Sequence, residues 1–118
     1  MAIIEAIETV YLEADVASVT FSSVPATYEH LQIRGTLHDA SSGTLAIQLN
    51  SDTGSNYSRH QMYGAGSSAS TNTNAGIAFM NIAYVAWASE NNPIYSTHTI
   101  DLLDYANTNK NTSVCSSW

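Results

Sequence analysis

Leu31-Gln32-Ile33-Arg34-Gly35-Thr36-Leu37 is the stretch that decides the fold. Leu31, Ile33, Gly35 and Leu37 fall on one face of an extended chain, and Gln32, Arg34, Thr36 and His38 fall on the other. That period of two is the mark of a half-buried strand. Working outward, the alternation returns at Leu45, Ile47 and Leu49 after the turn-forming run Asp39-Ala40-Ser41-Ser42-Gly43. The two segments are therefore expected to pair as an antiparallel hairpin with a longer loop. Further strands are expected at 9–13, 16–21, 58–63, 77–84, 94–103 and 112–115. Short strands separated by Ser, Gly and Asn turns indicate an all-β, antiparallel sandwich or barrel. Residues 3–12 stay open between strand and short helix, because Ile3, Ile4, Ile7 and Val10 also fit a helical stripe.

Gly64-Ala65-Gly66-Ser67-Ser68-Ala69-Ser70-Thr71-Asn72-Thr73-Asn74-Ala75-Gly76 has no anchoring side chain. It is expected to be one long exposed Gly/Ser/Asn-rich loop, either a recognition element or a tolerated excursion. No repeat of solenoid period is visible, which argues against propellers and β-helices.

Composition limits the function classes. A chain of 118 residues and 12.7 kDa is expected to fold as a single domain spanning 1–118. Charged residues make up 11%, well below the roughly 25% of an average domain. Ser, Thr and Asn supply about a third of the chain, so the surface is hydroxyl and amide rather than ionic. Hydrophobic residues at 44%, with seven Tyr, are too many for a disordered chain. The formal net charge is −7, and Arg34, Arg59 and Lys110 are the three strong cations. Three scattered cations cannot supply the counterion release that drives nucleic-acid binding, and they suit an anionic membrane no better. Cys115 is a single cysteine, which rules out an internal disulfide. Neither a signal peptide nor a transmembrane helix is expected, so synthesis in the cytoplasm is.

The search for chemistry gives mostly negatives. His30, His38, His60 and His98 are scattered, without the spacing of a zinc site, and are expected at polar strand-face or edge positions. No Gly-x-Ser-x-Gly elbow or Gly-rich phosphate loop is present. Asp101 and Asp104 lie three apart and point to opposite faces of a strand, so they do not form a carboxylate pair. Asn50, Asp52, Gly54 and Asn56 alternate like the oxygen ligands of a calcium loop, but a single carboxylate falls short of that ligand charge. An Asx-type turn with Gly54 at positive φ explains the same residues without an ion. No catalytic residue, cofactor or metal ligand is nominated.

Three segments together resemble a family of small β-rich virion proteins of tailed bacteriophages. They are Thr27-Tyr28-Glu29-His30-Leu31-Gln32-Ile33-Arg34-Gly35, Leu49-Asn50-Ser51-Asp52-Thr53-Gly54-Ser55-Asn56-Tyr57, and Ile100-Asp101-Leu102-Leu103-Asp104-Tyr105-Ala106-Asn107-Thr108-Asn109-Lys110. The resemblance implies a jelly-roll-like sandwich, symmetric oligomers and a structural role in the virion rather than an enzyme activity. Longer members continue beyond the Asp-Tyr-x-Asn-x-x-Lys turn, whereas this chain closes on Val114-Cys115-Ser116-Ser117-Trp118, so either another subunit is expected to cover the sheet edge or the fold closes differently here.

The expected role is a capsid cement or decoration protein that binds the assembled head through the major capsid protein. The alternative is a tail-fibre or spike module that binds a host cell-surface glycan. A homotrimer is expected, since closed symmetry protects exposed edges. Tyr84, Trp87 and Tyr95 are candidates for contact surface, as aromatics weight interfaces as well as cores. Val114, Cys115 and Trp118 are expected to dock across a subunit boundary, with Trp118 filling a neighbour's pocket and the other two extending its sheet.

Overall fold

A computed structural model describes residues 4–39, 43–86 and 94–118. Among them the structure is all-β and antiparallel, with no helix. Seven strands are present: β1 (His30–Leu37), β2 (Gly43–Ile47), β3 (Tyr57–Ala65), β4 (Ser68–Ile77), β5 (Met80–Val85), β6 (Ser96–Leu103) and β7 (Ser113–Ser117). They form a three-stranded sheet in the order β1-β6-β7 and two ribbons, β2-β5 and β3-β4.

β6 is the central strand of the larger sheet, and its burial alternates: His98, Ile100 and Leu102 are buried. Its register sets Ile33 opposite Ile100 and Leu31 opposite Leu102. Val114 on β7 sits opposite Leu102 on the other side. That apolar row meets Ile82 of β5, with Leu45, Ile47, Leu49 and Met80 packed around it. The core thus lies between the β1-β6-β7 sheet and the β2-β5 ribbon.

This arrangement corrects the expected hairpin between the first two strands. β1 pairs with β6 and β2 with β5. Both β1 and β2 have one apolar face, and the chain crosses after Leu37 so that these faces oppose each other across the core instead of lying side by side. Three polar links fasten the crossing. The Asp39 amide donates to the Ala86 carbonyl at 3.0 Å, the Ala86 amide to Ser96 Oγ at 3.1 Å, and Ser96 Oγ to the Leu37 carbonyl at 3.3 Å.

The expected long loop is also corrected. Most of residues 64–76 form β4, which pairs with β3 along its length. Gly66, at φ 59°, opens the two-residue turn Gly66-Ser67, the position where a II′ hairpin requires glycine. β4 is exposed on both faces except at its last residue, so it carries no hydrophobic alternation to read. Residues 9–13 and 16–21 are not in strands, and residues 4–12 are not helical either. The C-terminal strand, expected to extend a neighbour's sheet, pairs on one side with β6 of its own chain and forms an edge of that sheet.

Candidate interaction surface

The two loops that carry the resemblance are locked by their own hydrogen bonds. Leu49-Asn50-Ser51-Asp52 is a turn closed by the Asp52 amide on the Leu49 carbonyl at 2.9 Å, with φ 53° at Asn50 and 57° at Ser51. Two central residues at positive φ make it a type I′ turn. Tyr57 is buried beneath it; its hydroxyl accepts from the Leu49 amide at 2.9 Å and donates to the Asp52 carbonyl at 3.1 Å. Asp52 Oδ1 accepts from the Gly54 amide at 2.9 Å, the expected Asx turn, and Asn56 Nδ2 reaches both carboxylate oxygens at 3.0 Å. The carboxylate is thereby engaged by donors of its own loop. Positive φ belongs to Asn50 and Ser51 rather than to Gly54. An added Cβ at Gly54 would stand 2.7 Å from Asn56 Nδ2 and 3.1 Å from Asp52 Oδ1, so a side chain there would displace the Asn56 amide from the Asp52 carboxylate.

In the second loop, Asp104 adopts φ 52°, and its carbonyl accepts from the Asn107 amide at 3.0 Å. Lys110 Nζ pairs with Asp104 Oδ2, and this partner holds the carboxyl below the usual carboxylate range. The Asp104 amide donates to His30 Nδ1 at 3.1 Å. Glu29, His30 and Asp104 have ligand atoms within 4.8 Å of one another, as a metal would need. Lys110 and the Asp104 amide already occupy two of those three groups, and the cluster is largely exposed, so it is an ion-paired turn.

His98 departs from the expected surface position. It is 1% exposed, and Nε2 lies 2.7 Å from Ser96 Oγ. Nδ1 is buried without a partner. A neutral ring with the proton on Nε2 fits these contacts: Nε2–H donates to Ser96, Ser96 donates to Leu37, and the unpartnered nitrogen is an acceptor, not a donor. Burial pushes the imidazole below the ordinary histidine range. A serine beside a histidine is the start of a nucleophilic pair, but this one is shut off from solvent at the histidine and tied into the crossing between sheets.

What the surface offers instead is apolar and aromatic. Tyr84 on β5 stands edge-on to Trp118 at 6.3 Å and to Tyr63 of β3 at 5.6 Å. Tyr84 and Trp118 are each 44% exposed, and Met62 is exposed beside them. Met62, Tyr63 and Trp118, with Gly64, Ser116 and Ser117, line a shallow recess of about 360 Å³ whose exposed lining is mostly polar. The structure therefore brings together two of the six expected contact residues, Tyr84 and Trp118, against their own chain. Tyr63 completes the group; its place in the alternation of β3 was the available signal. Tyr95 is exposed elsewhere, against His38 at 5.3 Å. Val114 faces its own core, and Cys115 is exposed on the opposite face of β7. Trp87 lies outside the described residues.

A second recess of about 250 Å³ is lined by Arg59, Asn74, Ile77, Ala78, Phe79 and Asn81, and its exposed lining is mostly apolar. Arg59 donates to Asn74 Oδ1 at 3.1 Å and to the Asn81 carbonyl at 3.2 Å, and Phe79 is half exposed.

The chain exposes 9043 Å². A compact monomer of 12.7 kDa exposes about 6,200 Å². Its radius of gyration, 15.5 Å, likewise exceeds the roughly 13.5 Å of a compact domain of this length. No family model, no curated protein and no solved structure matches the chain.

Proposed function

We propose that the chain is a structural protein of a tailed-phage virion, a cement protein that binds the assembled head as a homotrimer and stabilises it. The observation that carries an assembly role is the surface in excess of a compact monomer, roughly 2,800 Å². Distributed over two neighbours in a closed ring, that excess gives each pairwise interface about 2,800 Å² in total, within the range of obligate assemblies. The virion setting rests on the resemblance of the Asn50 and Asp104 loops. Their internal hydrogen bonds suit them to rigid contact with a partner rather than to chemistry, and the protein is read as non-catalytic. Contacts with nucleic acid or membrane are not part of the reading, because Arg34, Arg59 and Lys110 do not cluster in sequence and each engages a neighbour of its own chain. Among the described residues no helix is long and apolar enough to cross a membrane.

A cement protein binds the assembled shell and not the unassembled subunit, so mass action makes the shell harder to disrupt. Particles lacking the protein are expected to release DNA at a lower temperature than complete particles. Copy number per virion is the direct test: hundreds of copies fit a head protein, and a handful do not. The Arg59 recess favours the second reading, a tail module binding a host glycan, since amides, a guanidinium and an exposed aromatic face suit a sugar. Glycan binding by the isolated protein, with unchanged particle stability in its absence, would replace the first reading by the second.

A further inference from the structure

The segment before β1 has the pattern of a strand without a partner. Residues 16–21 place Ala17, Val19 and Phe21 on one face and Val16, Ser18 and Thr20 on the other. Yet no described residue between 4 and 29 enters a ladder. Ile7, Val10, Leu12, Val16, Val19 and Phe21 stand 38–53% exposed, where each forfeits the free energy that burial would give it. The base of the segment is tied down by the Tyr105 hydroxyl, which donates to the Pro25 carbonyl, and one side-chain bond, from Tyr28 to Glu5 Oε2 at 2.8 Å, holds the start of the segment near that base.

We propose that residues 4–22 form an assembly arm that adds as a strand to the open β1 edge of a second copy of this chain. β1 is an edge of its sheet and eight residues long, enough to template a strand of the length of 16–21. Leu31 and Ile33 pack on the core but stay half-buried, as expected where a sheet ends. An arm strand laid along that edge puts Val19 and Phe21 in the apolar row of Leu31 and Ile33, and its hydroxyls in the row of Gln32 and Thr36. A slip of one residue would reverse both matches, which fixes the register. Charge agrees: the arm carries Glu5, Glu8, Glu13 and Asp15 with no Lys or Arg, and β1 presents Arg34 on its solvent face. Main-chain pairing supplies affinity in such additions, and alternate side chains supply specificity. The area agrees as well, because a second copy covering both the arm and the edge accounts for surface that a lone chain leaves in water. Arm addition does not depend on the virion setting and would hold for the protein in isolation.

The test uses the purified full-length chain without phage. Sedimentation is expected to give an oligomer, and hydrogen exchange is expected to show slowed amides in 16–21 together with β1. The full-length V19K/F21K variant is expected to sediment as a monomer with its β circular dichroism retained, since neither side chain belongs to the core. A monomeric wild-type chain would overturn the proposal, as would an oligomer whose arm amides exchange as fast as in an unfolded peptide, or a variant of unchanged mass. Should the variant fail to fold, the exchange pattern of the wild-type protein decides alone. An oligomer with a protected arm in a protein absent from virions would sink the virion reading and leave this inference standing.

Discussion

The Tyr57 hydroxyl ties together a turn that holds two non-glycine residues at positive φ. Tyr57→Phe leaves the Leu49 amide and Asp52 carbonyl without that partner and is expected to cost about 1–3 kcal/mol, read as a lower Tm. A Tm equal to wild type would mean that the turn stands without the hydroxyl. His98 makes a pH-dependent contribution. Its folded-state pKa is depressed, so the unfolded chain binds the proton more readily, and stability rises with pH wherever that holds. Stability is expected to be at its plateau above about pH 6.5, the unfolded value, and to decline as pH falls below it towards the folded value. Thermal melts across that window should show the slope, and His98→Gln should flatten it. Asp104 acts at lower pH with the same sign, although here the charged form is favoured by a partner rather than the charged form being disfavoured by burial. The Lys110 pair depresses its pKa, so its contribution is present above the ordinary aspartate value and is lost as pH falls through the folded one.

At the scale of elements, the β3-β4 ribbon depends on main-chain pairing rather than on burial of its outer strand. Its outer strand is small, polar and exposed, and its register is set by the Gly66-Ser67 turn and by pairing to β3. Gly66→Val forces a β-branched residue to φ 59° and is expected to cost at least about 1–2 kcal/mol. Faster amide exchange in β4 than in β6 would locate the damage in the ribbon. If β4 and β6 accelerated equally, the ribbon would be a cooperative part of the core instead. β6 behaves differently because it is paired on both sides and buries Ile100 and Leu102. Ile100→Ala is expected to cost about 2–5 kcal/mol, and unfolding in denaturant measures it.

For the whole molecule, the proposed assembly would leave part of the stability to association, because the buried core is small and several large apolar side chains stay exposed. Tm is therefore expected to rise with protein concentration, since dilution removes the partner that binds the folded state. A melting temperature independent of concentration over a hundredfold range would show that the lone chain holds itself together. The sequence by itself determined what depends on local chemistry. The alternation in 31–37 marks a strand because side chains alternate at a fixed period of two, and Asp52-x-Gly54 marks an Asx turn because a short carboxylate reaches its own backbone. The pair Tyr84 and Trp118 was legible as surface aromatics, but not as neighbours of Tyr63. Only the tertiary structure decided which strands pair. Two half-apolar strands adjacent in sequence can lie side by side or face to face, and the periodicity is the same in both. Only the tertiary structure likewise made 68–77 a strand, because backbone pairing to β3 needs no apolar side chain. And it left 9–13 and 16–21 without a partner, because a period of two says that a segment can join a sheet and is silent on whose sheet that is.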